Sequence, residues 1–383
     1  NFAFHSFGDM PPIQNGVGTL TLEGMQIVAA MNDGVVIEGV SKPVKVISGK
    51  FVMDDFEAKK KIGNVNLSLS GEARSIAEIS NRKPVSVMDR MKVDANQFSG
   101  QATADVAAIF PIRKSIEYDE VKWNVLLDLQ NAASSKPIGD RKFSAANLVI
   151  DANPTSARVT GKTQIDGIKA DVVFLEPIGN SGKVKSSRTV SMRLTNEDLA
   201  KQDINLAPVV RGPITVSLKQ QSGKESFEVN LTEANLSLPW VGWSKGKKIP
   251  AKANFVVVQK NGRYVLNNFK LNGSGFSAAG NLVLNKSGLI SANMTRMSLN
   301  KGDDVQLKVV LKNNIYEIIA SGGSYDARGV MNTLIFDSNF SQAQGERSVD
   351  LKAQFSRVIG FEGRSLFNAN MRYQSSGGKL TFI

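Results

Sequence analysis

Apolar and polar residues alternate along most of this chain with a period of two. In EVKWNVLLDL, residues 120–129, Val121, Trp123, Val125, Leu127 and Leu129 fall on one side of an extended chain, with Lys122, Asn124 and Asp128 on the other. The rhythm returns at Leu20/Leu22, Val65/Leu67/Leu69, Ala102/Ala104/Val106/Ala108/Phe110, Leu148/Ile150 and Val190/Met192/Leu194. Beyond the middle it continues at Ile214/Val216/Leu218, Phe227/Val229/Leu231, Ala253/Phe255/Val257, Leu282/Leu284, Val305/Leu307/Val309/Leu311 and Val349/Leu351/Ala353/Phe355. Such runs predict strands with one buried face. One apolar face needs a second layer, which a helix, another sheet or a ligand can supply.

Turn chemistry punctuates the runs. MNDGVV (31–36), QIDGIKA (164–170) and QKNGRYV (259–265) place Asp-Gly or Asn-Gly between alternating segments. Type I′ hairpin turns need positive φ at both central positions, so these pairs predict hairpins and consecutive strands running antiparallel in a meander. Two stretches read as short helices. Residues 75–93 carry Ser75 and Glu78 as a capping box and Pro84 as a break, and TNEDLAKQ (195–202) offers Thr195 or Asn196 as a cap with acids in its first turn. Leu148-x-Ile150 followed by Ala157-x-Val159-x-Gly161-x-Thr163-x-Ile165 parallels Phe269-x-Leu271 followed by Phe276-x-Ala278-x-Gly280-x-Leu282-x-Leu284, a weak internal repeat of one hairpin design.

Composition narrows the chemistry. The chain has 383 residues, 42% of them hydrophobic and 21% charged, which fits a folded protein with ample core material. No Pro/Ser-rich linker divides it. The best boundary lies near 196–213, giving parts 1–195 and 196–383, with a single continuous sheet as the alternative. No apolar run is long enough for a membrane helix. The chain starts at Asn1 and ends in GGKLTFI, and reads as an excised or processed piece, with any targeting or anchoring segment expected outside it.

With no Cys and one His, His5, thiolate chemistry, a multi-histidine metal site and a Ser-His-Asp triad lack their residues, so neither a metal nor a cofactor is expected. Asp54/Asp55, Asp119/Glu120 and Asp303/Asp304 read as solvated strand ends rather than a catalytic pair. Ser134-Ser135-Lys136 has no partner elements, and GSGFSAAG (273–280) lacks the Lys-Ser/Thr and the helix of a phosphate loop. The net charge of +12 favours anionic partners, but its densest clusters, Lys59–Lys61 and Lys245–Lys248, are short and fall in expected turns. Only LPWVGWSKGKK (238–248) interleaves aromatics with bases, and it reads as a loop packing Trp240 and Trp243 under a solvated turn, so no nucleic-acid partner is expected.

Several stretches, in order along the chain, resemble the AsmA-like proteins of Gram-negative bacteria, and among them the YhdP-like branch of alphaproteobacteria. They are PPIQNGVGTLTLEG (11–24), VDANQFSGQATADVAAIFPI (93–112), ANLVIDANPTSARVTGKTQIDGIKADVVF (146–174), LSLPWVGWSKGKKIPAKANF (236–255), FKLNGSGFSAAGNLVL (269–284) and ASGGSYDARGV (320–330). The resemblance implies a mostly β protein, an elongated antiparallel meander curled into an open trough, without catalytic activity. It further implies a periplasmic body anchored in the inner membrane by a helix outside this chain, with phospholipid acyl chains travelling along the trough and other envelope proteins as further partners.

On this reading the inward positions line the trough. In the first part these are Leu67, Leu69, Val106, Phe110, Val121, Trp123, Val125, Leu127, Leu129, Ile150, Val172 and Phe174, with Met192 near the boundary. In the second they are Leu218, Val229, Phe255, Val257, Leu282, Leu284, Leu307, Val309 and Phe355. The rival expectation is a structural envelope protein that binds others through exposed sheet edges.

Overall fold

A computed structural model describes every residue except 1, 5–8, 84–85, 92, 114–115, 139, 179–183, 202–203, 208, 222–223, 239–240, 286, 337–347, 377–378 and 383. The chain is mostly β and forms two compact units, Asn1–Val190 and Ser191–Ile383. His5, Pro84 and Trp240 lie outside the described residues.

In the first unit the strands are β1 (Phe2–Phe4), β2 (Ile13–Glu23), β3 (Gln26–Val36), β4 (Val44–Met53), β5 (Ile62–Glu72), β6 (Phe98–Pro111), β7 (Lys122–Ser134), β8 (Phe143–Asn153), β9 (Ser156–Ile165) and β10 (Ile168–Pro177). Each pairs antiparallel with the one before it. Between β5 and β6 the chain forms α1 (Ala73–Ser80) and α2 (Val87–Met91). Strand β11 (Ser187–Leu194) carries the chain onward.

The second unit opens with α3 (Asn196–Ala200) and β12 (Val210–Arg211). A meander follows through β13 (Ile214–Gln221), β14 (Lys224–Asn230), β17 (Ala251–Lys260), β18 (Arg263–Gly273), β19 (Phe276–Asn285), β20 (Gly288–Ser298), β21 (Asp304–Lys312) and β22 (Ile315–Asp326). Strands β15 (Asn235–Leu238) and β16 (Trp243–Lys245) leave it to make a separate small sheet with β12, so β14 pairs directly with β17. Past β22 come α4 (Arg328–Phe336), β23 (Ser348–Ile359), β24 (Ser365–Ser376) and β25 (Lys379–Phe382).

One join departs from the expected all-antiparallel meander. β23 pairs with β22 in parallel, Ile318 opposite Leu351 and Gly322 opposite Phe355. Parallel neighbours cannot be joined by a tight hairpin, and the segment containing α4 supplies the crossover. The sequence reading did not include α4.

Two of the three quoted turns form as expected. Ile165 and Ile168 pair across Asp166 (φ 52) and Gly167 (φ 81), and Lys260 and Arg263 pair across Asn261 (φ 51) and Gly262 (φ 69). MNDGVV is not a turn. Gly34 lies inside β3, paired with Val46 of β4 and close to the Ile13 side chain, and pairing on both sides overrides the local preference. The two stretches of the weak repeat both form hairpins with two-residue connections, closing at Asn153/Ser156 and Gly273/Phe276.

The helix after β5 starts earlier than expected, and its cap is Glu72, whose side chain makes no capping bond. Ser75 and Glu78 do other work. The buried Ser75 hydroxyl accepts the Lys42 backbone N–H at 3.0 Å, and the Glu78 carboxylate accepts the Ser41 backbone N–H at 2.6 Å and its hydroxyl, tying α1 to the β3–β4 connection. At α3 the expectation holds: Thr195 is the cap and forms a complete capping box with Asp198.

Candidate functional site

Strand registers assemble the alternating runs into rows across the sheet. In the first unit one row reads Val46, Leu69, Ala104, Leu127, Ile150, Val159, Phe174, one residue from each of seven successive strands, β4 to β10. On one side of it lies Ala102, Leu129, Leu148, Gly161, Val172; on the other, Leu67, Val106, Val125, Ala152. Beyond these, Val65, Ala108 and Trp123 form a further row, with Phe110 opposite Gly63. The opposite face alternates with it and is mixed in character, as where Leu126 sits between Asp105 and Asp151.

The second unit repeats the arrangement. Val257, Leu266, Leu282, Ala292, Val309, Ile318, Leu351 and Tyr373 form a row from β17 to β24. Val229 belongs to the row from Val216 through Ala253, Leu271, Ala278 and Met297 to Val305, and Leu307 lies between Met294 and Ala320. Leu218 pairs with Phe227, whose ring stacks on Phe255 at 5.5 Å, and Phe255 stacks on Phe269 at 6.2 Å. Leu284 pairs with Tyr264 and Leu289. Phe355 is covered by the Tyr325 ring at 5.3 Å.

Every sequence-predicted position is buried or half-buried. Fully buried are Leu69, Phe110, Val121, Trp123, Val172, Val229, Val309 and Phe355. Half-buried are Leu67, Val106, Val125, Leu127, Leu129, Ile150, Phe174, Met192, Leu218, Phe255, Val257, Leu282, Leu284 and Leu307.

The difference follows what packs on the face. In the first unit, Ala73 and Ile76 of α1 cover the end near Leu69, Ala102 and Ala104. Val121, Ile116 and Ile178 close the other end over Phe110 and Trp123. Between these lids the strip from Leu67 and Val106 through Val125 and Leu127 to Ile150 is left half-open. In the second unit the small sheet is the lid: Leu236 and Trp243 pack with Ala253, Phe276 and Ala278. The Trp243 ring meets Phe276 edge-on at 5.0 Å and donates its Nε1–H to Leu299 O at 2.9 Å.

No family model, curated protein or solved structure matches this chain. The apolar face therefore has to be read from its own residues.

Sequence reasoning missed two buried polar groups of the second unit. Lys245 is buried, 3% exposed, and its Nζ donates to Leu231 O at 2.6 Å, Thr232 O at 3.1 Å and Ala234 O at 2.7 Å. Burial pulls its pKa below the ordinary lysine value, opposed by Glu233. Alternation carried the signal, since Lys245 stands two residues from the buried Trp243 and shares its face; the expected solvated turn begins only after it.

The second group is the buried pair Asp303 and Asp326. Asp303 accepts the backbone N–H groups of Asp326 at 2.8 Å and Asn300 at 2.8 Å, and Asp326 is gripped by both Nε (2.9 Å) and Nη2 (2.5 Å) of Arg328 at the start of α4. Burial, then Asp303 and Asp326, push the neighbouring Tyr325 hydroxyl up to about 12. The Arg328 hydrogen bond holds Asp326 below the usual carboxylate range. A depressed carboxylate stabilises the fold above its unfolded pKa, and that contribution disappears as pH falls through the folded value. Asp326→Asn is thus expected to lower the unfolding midpoint at neutral pH, with the gap to the parent closing on acidification. Urea unfolding across an acidic pH series measures this, and a gap independent of pH would reject it.

The other carboxylate pairs are occupied locally. Asp54 accepts from Gln26, Asp55 accepts the backbone N–H groups of Glu57 and Ala58, and Glu120 pairs with Arg113. Ser134 donates its hydroxyl proton to Lys136 O at 2.6 Å, and GSGFSAAG is the turn and first half of β19. Among the described residues no group of three or more His, Cys, Asp or Glu side chains is placed to hold a metal ion. A depression of about 380 Å³ lies against β13, β14, β17 and β18, lined by Lys219, Phe227, Glu228, Asn254, Phe255 and Lys270 among others.

Proposed function

We propose that this protein is a non-enzymatic lipid-binding segment that holds phospholipid acyl chains along the apolar faces of its sheets. One observation carries the reading. In the first unit the row from Val46 to Phe174 crosses seven strands, and from Leu127 onward it stays half-buried, with no second sheet over it among the described residues. An acyl chain laid there replaces side-chain packing, each buried CH₂ contributing about 0.8 kcal/mol. The likeness of the quoted stretches to AsmA-like proteins supports the wider setting: a bridge-like element between inner and outer membranes in a Gram-negative periplasm, anchored by a segment outside this chain.

The test is native mass spectrometry with lipid extraction on gently purified protein. The parent is expected to carry phospholipid and Leu127→Asp to lose at least about tenfold of it while circular dichroism stays unchanged, because a carboxylate among apolar groups is strongly disfavoured. A folded, lipid-free parent would refute the reading.

A second reading, protein binding through a sheet edge, is favoured by β2. Past Gly16, the partner of Phe2, residues 17–23 have a neighbour only in β3 among the described residues, and Leu20 (77% exposed) and Leu22 (63%) stand on the apolar face. VGTLTLE contains neither Lys nor Pro, the residues that usually guard such edges. Crosslinking that recovers a protein partner through β2 from a lipid-free parent would select this reading.

A further inference from the structure

We propose that the β23–β24 hairpin tip inserts into an anionic phospholipid surface. The tip runs from Ile359 to Ser365, which pair across the turn Phe361–Gly363. Around it are Phe361 (38% exposed), Leu366 (69%) and Phe367 (71%), large apolar groups facing water. Arg357 and Arg364 are exposed beside them, Arg357 donating from Nε to Ser365 Oγ at 3.1 Å, whereas Arg372 further along β24 is paired with Asp350. The local acid, Glu362, makes only an open 3.2 Å pair with Arg364, both side chains being largely exposed. Apolar residues flanked by arginines are what an interface of acyl chains under anionic headgroups accepts: the rings and Leu enter the hydrocarbon boundary while guanidiniums stay at phosphate level.

Geometry favours a bilayer surface over an added strand. Leu366 and Phe367 are successive strand residues and Phe361 is on the turn, so no strand laid along one edge covers all three. Asn368 also takes a positive φ of 53°, breaking the regular edge an incoming strand would need. Among the described residues β25 pairs with β24 only from Gln374 onward, leaving the tip clear. The proposal does not depend on lipid in the sheet's apolar face, since the tip touches a surface rather than enclosing a chain.

The experiment is co-sedimentation of the whole chain with vesicles of phosphatidylglycerol and phosphatidylcholine, against phosphatidylcholine alone. The parent is expected to bind the anionic vesicles, and Leu366→Glu/Phe367→Glu to reduce binding by about tenfold or more. Arg357→Ala/Arg364→Ala should erase the preference for anionic lipid. Circular dichroism and extracted lipid content should match the parent in each variant, which separates this result from the state of the groove. Phe367→Trp gives a second readout, a blue shift of emission over the parent on adding anionic vesicles. Unchanged binding in the double-Glu variant, or no shift in Phe367→Trp, would overturn the proposal. So would a concentration-dependent oligomer in lipid-free buffer that the double-Glu variant abolishes, which would assign the tip to a second copy of this chain.

Discussion

Lys245→Ala is expected to lower the unfolding free energy of the second unit by about 3 kcal/mol, since buried acceptors left without their charged donor cost about 1–3 kcal/mol each and water recovers part of the loss. Its ammonium gathers the carbonyls of Leu231, Thr232 and Ala234, the connection between β14 and β15. Cutting the side chain back leaves three inward-aimed carbonyls without their donor and opens a void beside the buried Ala234 and Leu236. Lys245→Met separates the contributions. It restores the aliphatic stem but not the donors, and is expected to recover only part of the loss. Urea unfolding followed by tryptophan fluorescence reads both, because Trp243 sits two residues away in the same lid. A loss below about 1 kcal/mol for Lys245→Ala would mean that water takes over the three carbonyls at little expense.

Gly242→Ala is expected to be nearly as damaging, about 2–4 kcal/mol, from strain and overpacking together. Gly242 has φ 63, and a methyl group there would fall 2.0 Å from the backbone carbon of Gly329 and 2.2 Å from the Val330 nitrogen. Both obstacles are backbone, so no side chain can swing aside; the first turn of α4 must move off the lid. Gly329 faces the mirror problem, its added carbon lying 2.3 Å from Gly242 O. Ser244→Ala, an exposed change in the adjoining strand β16, is the control. Differential scanning calorimetry should show a lower transition for Gly242→Ala and none for the control; equal midpoints would show that the two backbones part without penalty.

Much of the sheet was legible because strand alternation is local. Trp123, Val125, Leu127 and Leu129 share a face for any pairing of β7, and Asp166-Gly167 and Asn261-Gly262 adopt positive φ because Asp, Asn and Gly tolerate it locally. Thr195 and Asp198 cap α3 from three residues apart. Each of these follows from neighbours within a few positions of one another.

Where readings failed, a distant segment had decided. MNDGVV carries a turn signal but is held straight by β2 and β4 on either side. Ser75 and Glu78 have the spacing of a cap, yet their oxygens are taken by the β3–β4 connection more than thirty residues upstream. The parallel β22–β23 pair follows from a crossover, which no hairpin signal announces. The candidate groove divides the same way: alternation determined which residues face inward, while the positions of α1 and the small sheet decided which of them are sealed and which stay half-open. Side-chain direction is set by the two-residue repeat of an extended chain and so can be read along it, whereas cover comes from elements brought over the face by long-range packing and exists only in the folded protein.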